Sequence, residues 1–168
     1  MTARLIPENG VGRAIKKRTT MIRRLLRIFG RHGSAGASAS PSMRFVDLGL
    51  PSGTLWAERD VEEPTMAGCS LPSYAQAQEL IECCDFYFGT GSDGRRYYCV
   101  QGPSGQYIHF PIEEYEGTPG PSGCCWCEGG PSADFGYFML LSEVTITIGV
   151  GRRDIGFPYR MVRASELL

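Results

Sequence analysis

Nowhere does the chain approach the ~20 consecutive apolar residues that cross a bilayer as a helix. Before Gly33 no apolar run reaches seven residues without a charge, so no secretory leader is expected, and no lipoprotein-type cysteine follows a short apolar run. Without an export signal, disulfides have no support. The seven cysteines are also an odd number, and reduced, packed thiols are the expectation. No internal repeat is visible. Glycine is abundant, yet Gly129-Gly130 lacks the Lys-Ser/Thr that a nucleotide-binding loop requires, which removes a phosphate loop from consideration.

What is present suits one domain. The 168 residues, 42% hydrophobic and 11% aromatic, provide a packed core and exclude disorder throughout. With 22 Gly and 11 Pro, turns are frequent and strands short, which favours loop-rich α+β architecture over a helix bundle. Charge is divided unevenly. Residues 1–44 hold ten of the 17 basic side chains and one acid, Glu8, giving 10 − 1 = +9; the remainder carries 7 − 17 = −10. The net charge of −1 therefore hides a basic arm on an acidic body, and the arm is the candidate for anionic partners.

Three regions follow. In residues 1–31, Val11, Ile15, Ile22, Leu25, Leu26 and Phe29 recur among Lys16, Lys17, Arg18, Arg23, Arg24 and Arg27, the pattern of a basic amphipathic helix. Such an arm suits an anionic membrane, nucleic acid or a neighbouring subunit; a solvated tail is the plainer alternative. Residues 32–43 have Gly/Ala/Ser linker composition. The domain is expected over 44–168. Within it, Ser73 and Gln76 have capping-box spacing before an apolar face of Tyr74, Ala77, Leu80, Ile81 and Cys84, which predicts a helix over 74–84. Strands are expected over 45–48, 54–57, 96–100, 106–110, 135–141, 144–150 and 157–163. Alternation of Val144, Ile146, Ile148 and Val150 with Thr145, Thr147 and Gly149 predicts one buried and one wet face.

Phe45-Val46-Asp47-Leu48-Gly49-Leu50-Pro51-Ser52-Gly53-Thr54-Leu55-Trp56-Ala57 resembles the opening signature of the Fibrobacter succinogenes major paralogous domain family. Leu71-Pro72-Ser73 with Glu79-Leu80-Ile81, then Gly102-Pro103-Ser104-Gly105 with Ile108-His109-Phe110-Pro111, and finally Gly156 to Arg163 resemble later family segments in the same order. Together they span nearly all of 45–163. The chain differs from the family pattern in its short 61–70 linkage and in Cys124-Cys125-Trp126-Cys127-Glu128, where an aromatic-Trp-Ser-Ser run is usual. The resemblance implies a C-type-lectin-like α+β fold, akin to formylglycine-generating enzymes and to the variable proteins of diversity-generating retroelements, with no established catalytic activity. Relatives of this kind occur in bacteria such as Bacteroides, and similar modules serve phage and retroelement recognition.

Cys124, Cys125 and Cys127 with Cys99 or His109 have the atoms for a zinc site, but adjacent cysteines in an extended segment face opposite ways, so packed thiols are expected and no metal or other cofactor. No sequence feature places a cysteine beside His109, the one histidine of the body, so an enzyme is not expected. Glu62-Glu63 and Glu113-Glu114 read as solvated turns. Trp56 and Trp126 read as core. The remaining polar set, Asp134, Tyr137, Glu143, Arg152, Arg153 and Asp154, with Ser132 and Ser142, sits on or beside the ends of the C-terminal hairpin, where a rigid sheet presents adaptable loops. The resemblance places a binding face there, so the expected function is non-enzymatic recognition of a protein or glycan ligand. The alternative is a structural component of a virion or cell-surface complex, oligomeric, with the arm docked on a neighbour.

Overall fold

The computed structural model describes residues 43–165. The basic arm and nearly all of the linker lie outside the described residues. Those described form short antiparallel strands and one helix, an α+β arrangement of three three-stranded sheets. In the first sheet β2 (Thr54–Ala57) lies between β1 (Phe45–Asp47) and the last strand, β9 (Val162–Ala164), so the two ends of the described chain meet. The second sheet is the meander β3 (Asp85–Thr90), β4 (Arg96–Gln101), β5 (Tyr107–Pro111). The third is β6 (Gly123–Trp126), β7 (Phe135–Leu141), β8 (Ile146–Arg152).

The helix α1 (Tyr74–Cys83) begins at the expected capping box: the Gln76 backbone N–H donates to Ser73 Oγ, 3.2 Å, and the Ser73 N–H donates to Gln76 Oε1, 2.9 Å. It stops one residue earlier than expected, where Cys84 turns extended while still donating its N–H to the Leu80 carbonyl. Ten residues are too few to hold a helix in water, so tertiary contacts hold this one. Ala77 and Leu80 are buried in the main core, Glu79 accepts from the Ser52 N–H at 2.8 Å, and Gln76 Nε2 donates to Thr54 Oγ1 at 3.1 Å.

The third sheet packs on a core cluster on each face, with β8 partly buried, so the wet face expected of the hairpin is covered except at its open end. Directly opposed residues share a face, so Cys124, Leu140 and Thr147 line one side together with Trp126, Phe138 and Gly149. That side packs on Phe157 in a second, smaller core. Cys125, Met139 and Ile148 face the main core. A Cβ on Gly151 would sit 3.2 Å from Phe138 and 3.4 Å from Phe157, so the glycines alternating with Ile148 and Val150 admit aromatic rings rather than water. The strand itself starts at Ile146, two residues later than expected, because Ser142 to Thr145 make the turn and Val144 stands 80% exposed.

Other differences have equally local causes. Of the expected 157–163 strand only Val162 and Arg163 join a sheet, in β9; before them Phe157 enters the second core and Arg160 the protein interior. Trp56 and Trp126 are both buried, as core residues. All seven cysteines are free. Burial pushes the thiols of Cys99, Cys124 and Cys125 up, and those of Cys84 and Cys127 up to about 12, so all five are protonated at neutral pH. Cys83 is exposed. Iodoacetamide is therefore expected to label Cys83 first in the native protein, and Cys124, Cys125 and Cys127 only after unfolding. Peptide mass spectrometry reads the order, and early labelling of Cys125 would contradict this packing.

Candidate functional site

The strand pair β7–β8 is the longest in the body, and its open end carries most of the expected site. Asp134 and Phe135 enter β7 as Arg152, Arg153 and Asp154 leave β8. The crossing is fixed by register: Phe135 lies opposite Arg152, and the Arg153 backbone N–H donates to the Asp134 carbonyl at 3.0 Å. Ala133, Asp134, Phe135, Arg152, Arg153 and Asp154 line an open hollow of about 710 Å³.

The two arginines do different things. Arg152 shares a sheet face with Phe135 and Tyr137, and its guanidinium pairs with Asp154. Both partners of that pair are about half exposed, so it orients more than it stabilises. Arg153 turns to the other face, where its guanidinium donates to the Gly129 carbonyl at 3.0 Å. There it covers Gly136, whose added Cβ would meet Arg153 at 3.0 Å and Trp126 at 3.1 Å. Arg153 thus ties the β6–β7 loop to the end of β8.

Tyr137 is half-buried and packs edge-on against Tyr74 of α1, ring centroids 5.4 Å apart. Tyr74 is 47% exposed and Phe135 42%. An aromatic strip therefore runs from α1 along β7 to Arg152 at the rim of the hollow, and it adds Tyr74, expected on the apolar face of the helix, and Phe135 to the residues expected at the site. The signal for Phe135 was available: it is the alternate partner of Tyr137 on one strand face.

Two expected site residues lie elsewhere. Glu143 occupies the β7–β8 turn, the far end of a seven-residue strand and so ~20 Å from Asp134 and Arg152. It lines a separate cleft with Phe88, Arg96 and Tyr98. Ser142 is buried, its hydroxyl donating to the Thr145 carbonyl and accepting from the Thr145 N–H. It builds the turn and presents nothing to a ligand.

The fold brings one pair together that sequence did not. Cys99 and His109 are direct register partners across β4 and β5. Burial raises the Cys99 thiol, while burial and the Arg160 charge lower His109. Both shifts oppose a thiolate–imidazolium pair, so this juxtaposition is not set up for nucleophilic attack. Cys124 faces the second core while Cys125 and Cys127 face the first, and among the described residues no group of three or more His, Cys, Asp or Glu converges as metal ligands.

Comparison with protein-family models, with curated proteins and with solved structures gives no match to this chain.

Proposed function

We propose that residues 44–168 form a non-enzymatic recognition module of the C-type-lectin-like kind, which binds a protein or glycan ligand through the hollow at the open end of β7–β8. The observation that carries this is the meeting of an exposed aromatic strip with two arginines and two aspartates on a sheet clamped on both faces. Aromatic and arginine side chains deliver large contact area and several hydrogen bonds for little ordering cost, and a rigid base keeps that cost low. Short antiparallel strands, one short helix and chain ends joined at β2 support the lectin-like reading, as does the family resemblance. The basic segment 1–31 would then attach the module to an anionic or subunit partner in a larger assembly, as in a phage virion or a retroelement-diversified receptor-binding protein.

The test uses the full chain against an immobilised glycan panel and against intact Bacteroides cells, with bound fluorescence as readout. Phe135→Ala and Arg152→Ala are each expected to weaken binding by ~1–4 kcal/mol while leaving the melting temperature nearly unchanged. Arg153→Ala is expected to lower thermal stability as well, because the Gly129 carbonyl loses the nearer of its two donors and keeps only the Tyr137 N–H at 3.3 Å. Full binding by both Phe135→Ala and Arg152→Ala would place the site elsewhere.

A second reading is favoured by the outer face of β3–β4–β5, where Tyr87 and Tyr107 are 51% and 39% exposed. A structural component of a virion or surface complex would pack this face on a neighbouring copy. Light scattering that finds an oligomer, dissociated by Tyr87→Ser with Tyr107→Ser, would favour it over the first.

A further inference from the structure

We propose that the outer face of the β3–β4–β5 sheet is the docking surface for residues 11–29 of the same chain, which lie on it as a basic amphipathic helix. The proposal is independent of the recognition reading at the hollow. It fills with the chain's own segment the face that the second reading gives to a neighbouring copy.

The face is aromatic and open. Residues opposed in register share a side of the sheet, so Tyr87, Cys99 and His109 line this one, and the strand period adds Tyr97 and Tyr107. Their alternates Val100, Ile108 and Phe110 point into the main core. The His109 ring stands between Tyr97 and Tyr107, edge-on to both, with centroids 5.8 and 5.2 Å away. Tyr87 and Tyr107 are exposed, so the described residues leave this aromatic row partly in solvent. Acids mark its two ends. Asp85 opens β3 on the same side, opposite Gln101, and at the β3–β4 turn Asp93 accepts from the Tyr97 hydroxyl at 2.6 Å.

Charge, position and pattern select the occupant. Pairing two copies through this face would set bodies of −10 against each other, acidic ends included, whereas the segment that precedes the body carries +9. The described chain also begins beside the face. The Glu58 N–H donates to the Arg44 carbonyl at 2.9 Å, and one guanidinium, that of Arg160, holds the Glu58 and His109 carbonyls at 2.9 and 2.6 Å. Residues 30–42 extend to as much as ~40 Å, about twice the length of a six-residue strand, so they bring Phe29 back over the sheet without strain. A tether of that reach supplies the segment at an effective concentration of about millimolar. Wound as a helix, Val11, Ile15, Ile22, Leu25, Leu26 and Phe29 fall within an arc of ~100°, which holds one basic residue, Arg18. The other basic residues flank that arc or back it, within reach of Asp85 and Asp93. A helix ~10 Å across also matches three strands spanning ~10 Å. Docked in this way the arm is held back, and an anionic or subunit partner takes it only by displacing the body's own face.

Lys16 and Lys17 are the only lysines in the chain, so carbodiimide coupling of amine to carboxylate reports where the segment lies. In the full chain, crosslinks from Lys16 or Lys17 to Asp85 or Asp93 are expected within single molecules, in a yield independent of protein concentration. Ile22→Asp with Leu26→Asp in the segment is expected to lower that yield about tenfold, because two charges enter the packed side. Tyr87→Ser with Tyr107→Ser on the face should lower it comparably. As a second measurement, the segment variant is expected to shift the ¹⁵N amides of Cys99 and His109 and to leave those of Asp134 and Arg152 in place. Crosslinks between chains would overturn the proposal and favour the neighbouring-copy reading. It is equally overturned if crosslinks scatter over acids away from this face, if the segment variant leaves their yield unchanged, or if that variant moves neither amide.

Discussion

Arg160→Met is expected to lose ~3–5 kcal/mol of stability, the largest effect of any single side chain in this body. Arg160 is fully buried, which for a guanidinium requires that its charge be paired and its donors be engaged, as four of its five are. Its Nε donates to Asp60 Oδ1 at 2.6 Å, Nη1 to the carbonyls of Ala57 and Glu58 at 3.0 and 2.9 Å, and Nη2 to the His109 carbonyl at 2.6 Å. The plane also lies over the Phe110 ring, 4.2 Å from its centre. One side chain thereby joins the end of β2, the loop after it, and β5. Methionine fills much of the same volume but leaves a buried carboxylate and three carbonyls without that donor. Lysine restores the charge without the fork, so Arg160→Lys should recover only part of the loss. Urea denaturation of the three proteins measures this; a deficit below ~1 kcal/mol in Arg160→Met would mean that the cluster contributes little.

The same cluster predicts a pH signature. Burial holds the Asp60 carboxyl above its ordinary 3.8 even against the lowering effect of Arg160. A carboxyl raised in the folded state takes its proton there first, so its contribution to stability grows as pH falls through the folded pKa towards 3.8 and is lost again as pH rises. Removing Arg160 removes the one strong lowering influence and widens that window. The deficit of Arg160→Met should therefore shrink on acidification from neutral pH, and a deficit that is flat with pH would show that Asp60 is not its source.

Where local chemistry carries the information, the sequence was legible. The Ser73 and Gln76 box and the turn at 51–53 each specify their own geometry, and the helix and the β1–β2 connection stand where those signals put them. Two strands went unread for physical reasons. All four residues of β6 are buried, so Gly123 to Trp126 shows no period, and reading its cysteines as packed thiols did not mark a strand between two cores. β3 begins directly after the helix cap and sets Phe86 and Phe88 against Tyr87, with little polar contrast to read. The candidate site was half legible for a related reason. Grouping residues by nearness to hairpin ends cannot tell the two ends apart, so Glu143 was placed with Arg152 although a full strand separates them. Arg160 lay unnoticed inside the closing segment because its partners are 51 to 103 residues away.

Gly102→Ala is expected to be the second severe substitution, costing ~3 kcal/mol or more, and it explains why two of the sequence signatures belong together. A Cβ on Gly102 would lie 2.1 Å from the Leu48 carbonyl oxygen and 2.5 Å from the Leu48 Cβ, contacts that no rotamer change relieves. The opening segment and the Gly102–Gly105 turn are docked backbone to backbone at this point. The Ser104 N–H donates to the Leu48 carbonyl at 3.1 Å, Ser104 Oγ donates to the Asp47 carbonyl at 2.8 Å, and a Cβ on Gly49 would come within 2.8 Å of the Ser104 nitrogen. Glycine is required at 102 for close approach. Gly105, at φ +80° with open space around it, needs glycine only for its backbone conformation. Gly105→Ala should therefore cost roughly 1–2 kcal/mol, the left-handed penalty alone. Leu48 is fully buried, so the displacement forced by Gly102→Ala would propagate into the main core, and Leu48→Ala, which keeps both the carbonyl and the Cβ, should relieve none of the clash. Equal losses for Gly102→Ala and Gly105→Ala in denaturation would show that the docking is looser than these distances, and that the signature residues serve the turn rather than the contact between segments.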